Sequence, residues 1–90
     1  MPRVALTREQ RRANRQTDGD EALRVGLDAA LSRTRTTQVM LADRLGTTSS
    51  AISKMKRAPG NMRLELLRDI AYELAMPDAV ILAIVKGKRL

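Results

Sequence analysis

Thr37-Gln38-Val39-Met40-Leu41-Ala42-Asp43-Arg44-Leu45-Gly46-Thr47-Thr48-Ser49-Ser50-Ala51-Ile52-Ser53-Lys54-Met55 is the stretch whose spacing decides the fold. Gln38, Ala42, Gly46, Ile52 and Met55 stand where two short helices need them if they cross steeply around a tight turn. Ala42 is small, so the second helix can approach the first. Gly46 falls where the first helix must end in a left-handed residue, a conformation that penalises a β-carbon. Ile52 and Met55 are three apart on one face of the second helix and are expected to pack back onto the first. The outward face of that second helix is left to meet something else.

Outward from this stretch the pattern stays helical, with no β-alternation and no internal repeat. The first helix of the pair is expected from Gln38 to Leu45 and the second from Ser49 to about Arg57, with Thr48 as its N-cap. Upstream, Thr34-Arg35-Thr36-Thr37 reads as a connection ending in an N-cap hydroxyl. Before it, a helix starting near Asp20 and fading near Arg33 buries Leu23, Leu27, Ala30 and Leu31. Thr7-Arg8-Glu9-Gln10 has the form of a capping box and can start a further helix, in which Arg8, Arg11, Arg12 and Arg15 make one basic stripe. Asp18-Gly19-Asp20 is expected to break it.

Downstream, Ala58-Pro59-Gly60 is a breaker and Asn61 is expected to cap a helix running to about Ala75. Leu64, Leu67, Ile70, Ala71 and Leu74 form its inward face. A last helix, Pro77 to about Lys86, is apolar nearly all round and can be stopped by Gly87. The expectation is an all-α chain with a basic arm, helical or not, over residues 1–19. A five-helix domain follows over residues 20–90, with its closing helix at 77–86.

Ninety residues suggest one domain with a small core, burying roughly 60% of the unfolded surface. There is no cysteine and no histidine, which removes thiolate and imidazole ligands, thiol nucleophiles and the usual general base. No triad, metal cluster or phosphate loop can be assembled, so neither an enzyme nor a cofactor, metal or small-molecule ligand is expected. The Val4-Ala5-Leu6 run is too short for a signal peptide, and Ala79–Val85 is too short to span a bilayer. A cytoplasmic protein with no membrane partner is expected.

The net charge is +7, unevenly spread. Residues 1–17 carry +4, residues 18–36 carry −1, residues 37–63 carry +4, and residues 64–90 balance. The excess on the arm and around the two-helix stretch points to a polyanion.

The chain resembles the Cro and phage-repressor type of helix-turn-helix protein, the XRE or lambda-repressor-like family. The resemblance rests on Gln38, Ala42, Gly46, Ile52-Ser53 and Met55. It continues without a gap through Leu64, Leu67, Ile70-Ala71 and Leu74, and covers about Leu23 to Leu82. It implies a five-helix lambda-repressor-like domain that binds double-stranded DNA. Departures exist. An Arg–Glu ion pair common in the family meets Leu31 and Lys56 here. The family's glycine after the second helix is Ala58, and its proline before the fourth helix is Met62.

In that family the second helix enters the major groove with its N-terminal residues toward the bases. The base-reading positions map to Ser49, Ser50 and Lys54. Lys54 can donate to guanine O6 and N7, whereas serines discriminate weakly, so readout is helped by DNA shape. The resemblance places Gln38 beside a phosphate. Thr37, Thr48, Arg35, Lys56, Arg57, Asn61 and Arg63 flank the same surface as candidate DNA-backbone contacts. The stripe Arg8, Arg11, Arg12 and Arg15 is either a loose tail or a basic arm reaching phosphates or a minor groove. Val80, Ile81, Ile84 and Val85 are either absorbed by the core or include members of an isologous homodimer contact, where family members often pair.

The resemblance implies a bacterial or phage-encoded, nucleoid-associated transcriptional regulator, a small repressor of phage or mobile-element type. The alternatives are an antitoxin of a toxin–antitoxin pair and a protein-interaction module on the same fold.

Overall fold

The computed structural model describes residues 6–90. The first five residues of the expected arm, Arg3 and Val4-Ala5 among them, lie outside the described residues. Among the described residues there is no strand. Five α-helices follow one another: α1 Arg8–Arg33, α2 Gln38–Leu45, α3 Ser49–Arg57, α4 Leu64–Glu73 and α5 Asp78–Lys86. A short 3-10 turn, Pro59–Asn61, joins α3 to α4. The architecture is all-α, as expected.

The largest departure from the sequence expectation is α1. Asp18-Gly19-Asp20 does not break it, and the basic segment and the following helix form one helix of 26 residues. At 1.5 Å per residue it is about 39 Å long. Its start is the expected capping box. The Gln10 amide donates to Thr7 Oγ1 at 3.1 Å, and the Thr7 amide donates to Gln10 Oε1 at 2.8 Å. Gly19 stays helical because α5 lies directly on it. A β-carbon there would sit 3.1 Å from the Ile84 carbonyl oxygen and 3.2 Å from Gly87 Cα. One on Gly26, seven residues on and on the same face, would sit 2.5 Å from Val80 Cγ1. A mid-helix glycine costs about 1 kcal/mol in propensity, and here it admits close packing of α5 in return.

The face expected to bury Leu23, Leu27, Ala30 and Leu31 does so, with Leu31 only half-buried. Gly19, Ala22 and Gly26 are buried on it as well. The core centre is Leu27, Leu41, Ile52, Ile70 and Leu74, all fully buried. Met55 and Met76 close it.

The starts of α4 and α5 and the inward face of α4 differ from expectation. Asn61 does not cap α4; it lies in the 3-10 turn, and Arg63 is the N-cap, without a side-chain cap bond. Leu64, expected inward, is 56% exposed in the first turn of α4, beyond the edge of the core. Leu66, outside the expected set, is half-buried against the core instead. Pro77 is the N-cap of α5 rather than its first residue, and Gly87 ends the helix in a left-handed conformation, φ 69°.

The ends of α1 and α4 close alike. Arg35 (φ 52°) and Ala75 (φ 47°) turn left-handed. The Thr36 amide then reaches Leu31 O at 2.9 Å, and the Met76 amide reaches Ala71 O at 3.0 Å. Arg33 ties the two ends together by donating to the Leu74 and Ala75 carbonyls at 3.0 and 3.1 Å. No helix among the described residues is long and apolar enough to cross a membrane.

Left-handed positions give paired expectations in urea denaturation. A β-carbon on Gly46 (φ 69°) meets nothing within 4 Å, so Gly46→Ala isolates the backbone cost and should lose about 1 kcal/mol. Ala75→Gly should gain about 0.5 kcal/mol, the relieved strain exceeding the added freedom of the unfolded chain. Gly87→Ala should lose more than Gly46→Ala, because its β-carbon also overlaps the backbone of Arg15. Equal losses at Gly46 and Gly87 would contradict the close α1–α5 crossing.

Candidate nucleic-acid interface

The α2–α3 unit is assembled from local rules. Thr37 caps α2 by accepting from the Met40 amide at 3.1 Å, and Thr48 caps α3 by accepting from the Ala51 amide at 3.1 Å. Between them Gly46 turns left-handed, and the Thr47 amide reaches Ala42 O at 2.9 Å. Ile52 and Met55 are buried, which aims α3. Its opposite face leaves Ser50, Lys54 and Arg57 exposed, while Ser49 is half-buried.

Gln38 opens α2 as expected, but its side chain turns toward α3. Its Nε2 donates to Ser49 O at 3.1 Å and to Ser53 Oγ at 2.6 Å. Ser49 O can only accept, so the amide nitrogen must face inward. Both amide hydrogens are then committed to α3, and the side chain has no donor to offer a phosphate. A phosphate contact at Gln38 has to come from its backbone N–H in the first turn of α2. The residue's own work is to fix the distance between the two helices.

Lys56 is also otherwise engaged. Its Nζ lies 2.6 Å from Asp28 Oδ1, and the lysine side chain is 24% exposed. Arg24 Nη1 donates to the Lys56 carbonyl at 3.3 Å. An α1–α3 ion pair thus exists, with the base on α3. Lys56 holds that pair before it can hold a phosphate. Neither Arg24 nor Asp28 was singled out from the sequence. Arg24 borders a shallow surface with Gln38, Ser53, Lys56 and Arg57, so it belongs with the candidate contacts. The i, i+4 spacing of Arg24 to Asp28 was legible, but their reach to α3 was not.

The remaining candidates fall into separate groups. Lys54, Asn61 and Arg63 meet at a hollow of about 550 Å³ beside α3, walled by Met55, Met62 and Leu66. Thr37 and Thr48 present exposed hydroxyls whose own protons are not used by the capping bonds, so each can donate outward. Arg35 is exposed in the α1–α2 connection. The basic stripe divides. Arg8 and Arg11 are exposed, with Arg11 Nε donating to Leu6 O at 3.3 Å. Arg12 and Arg15 instead line a groove with Arg63 and the C-terminal end of α5. On α5, Val80, Ile81 and Ile84 are half-buried against the core, Val85 is 63% exposed and Leu82 is 52% exposed. The outer face of α5 is therefore Leu82 and Val85 rather than the full set of four.

Among the described residues no group of His, Cys, Asp or Glu side chains is arranged to hold a metal ion. No family model, no curated protein and no solved structure matches the chain.

Proposed function

We propose that this chain is a sequence-specific DNA-binding transcriptional regulator of the Cro/phage-repressor type, in which α3 enters the major groove. The observation that carries this is the division of α3. Ile52 and Met55 fix it to the core, while Ser50, Lys54 and Arg57 project outward from a helix in a stretch, residues 37–63, that carries a net charge of +4. A bare helix of nine residues with serines in its first turn suits insertion into a groove.

Two further features support it. Thr37 and Thr48 place hydroxyl donors at the starts of α2 and α3, where helix dipoles already favour an anion. The start of α4 has no side-chain cap and carries Arg63 at its N-cap, so its first amides are available to a phosphate. Two copies joined through the outer face of α5, centred on Leu82, would present two reading helices about 34 Å apart, one turn of DNA. Docking of a protein on α3 in place of DNA gains no support from that helix, whose outward face is polar and cationic rather than apolar.

Selection of duplexes from a random pool should yield a palindromic consensus, whereas binding that is salt-sensitive but blind to sequence would sink the proposal. On the selected site, Lys54→Ala should cost about 1–3 kcal/mol and relax the preference at one base pair. Arg57→Ala and Arg63→Ala should each weaken binding to all sequences alike and lower the salt slope by about one. Lys56→Ala should chiefly lower thermal stability, since its partner is Asp28.

A further inference from the structure

The groove along α1 has a composition that DNA does not call for. It has a volume of about 470 Å³ and runs between the N-terminal half of α1, the start of α4 and the C-terminal end of α5. Its apolar lining includes Leu23, Leu64, Leu67, Ile84 and Val85, of which Leu64 and Val85 are exposed. Arg12, Arg15, Arg63 and Lys86 stand around these side chains, with Asp20 the one carboxylate among the lining residues. The two arginines of α1 are there because α1 does not break at Gly19: continuous helix carries Arg12 and Arg15 toward the face that buries Leu23 about two to three turns further on.

We propose that this groove docks an acidic amphipathic segment of another protein, a short helix with apolar residues on one face and carboxylates beside them. Leu64 and Val85, left in water, favour an apolar occupant that removes their surface from it. Four cations against one carboxylate select an acidic one and steer its approach. A phosphate backbone would satisfy the cations but leave Leu64 and Val85 wet. A second copy of this chain placed symmetrically across the groove would bring the same four cations against each other, so self-association is disfavoured there. The size suits a few side chains of a docked helix, the helix-in-groove mode of recognition. The groove shares Arg63 with the DNA reading, so the test varies Arg12, Arg15 and Leu64, which lie outside the α3 surface.

The test uses the full chain and a fluorescent amphipathic helical peptide with leucines on one face and glutamates flanking them. Its counterpart with lysine for glutamate is the control. The glutamate peptide should bind, with amide chemical shifts moving at Arg12, Arg15, Leu64 and Lys86, and the lysine peptide should not. Arg12→Glu with Arg15→Glu should weaken binding at least about tenfold, as should Leu64→Asp alone. All three positions are exposed, and unchanged circular dichroism melting checks that the variants fold. Binding unaffected by these changes, shifts confined to α3, or equal binding of both peptides would each overturn the proposal. So would the groove variants losing duplex affinity as fully as Lys54→Ala, which would make the groove part of the DNA surface. Dissociation of a dimer by Leu64→Asp would assign the groove to a second copy and overturn it equally.

Discussion

The close crossing of α1 and α5 at Gly19 and Gly87 is the contact on which the rest depends. A β-carbon on either glycine would press on the backbone of the opposite element. Because neither has one, the C-terminal end of α5 lies on the middle of α1, and α1 packs more extensively on α5 than on any other helix. This lets a single long helix serve as the spine of a chain of this size. Its C-terminal half supplies Leu27 and Ala30 to the core, while its N-terminal half carries cations out past the core's edge. The tail is tied back as well, by Arg89 donating to Asp18 at 3.1 Å beside Gly19. That carboxylate, through the hydrogen bond and its charge, raises the arginine's pKa.

The α2–α3 unit depends on a different economy of small parts. Gly46 makes the turn, Ala42 is buried so that the helices can cross, and Ile52 and Met55 anchor the second helix. The Gln38 amide spans to Ser49 and Ser53 and so sets the separation from the polar side. Hydrogen bonds of this kind contribute on the order of 1 kcal/mol each, less than a buried isoleucine, but they are directional. Apolar packing holds α3 on the core; the glutamine fixes the angle at which its outer face is presented.

What was legible in the sequence was whatever depends on neighbours a turn apart. The caps at Thr7, Thr37 and Thr48, the stop at Gly46 and the buried stripes of α1 and α3 follow from such spacing, and they stand in the structure. Gly19 reads locally as a breaker, and only the arrival of α5 makes it a packing surface. Leu64 fits the period of α4, but the core ends before it. Asn61 is a good cap by type, yet the 3-10 turn after Pro59 moves the helix start past it. Gln38 was placed correctly at a helix start, while the partner of its side chain lay eleven residues away on another helix. At Gly19, Leu64 and Gln38 tertiary packing overrides a local preference, whereas Asn61 is displaced by one local turn competing with another.

The Asp28–Lys56 pair shows how far such contacts can be weighed. The carboxylate side chain is 59% exposed and the lysine 24%. An ion pair so open to water contributes at most about 1 kcal/mol, and salt screens it. Its consequence is positional. Together with Arg24, whose guanidinium reaches the Lys56 carbonyl, it pins the C-terminal end of α3 to α1. A cation near the last turn of a helix is favoured by the helix dipole whichever partner it has. Taking Lys56 inward leaves Lys54 and Arg57 as the outward-facing charges of α3, Lys54 on the side of Asn61 and Arg63 and Arg57 on the side of Arg24 and Gln38. One of the three cations of α3 is therefore turned inward, by a carboxylate on α1 that the local pattern of α3 does not contain.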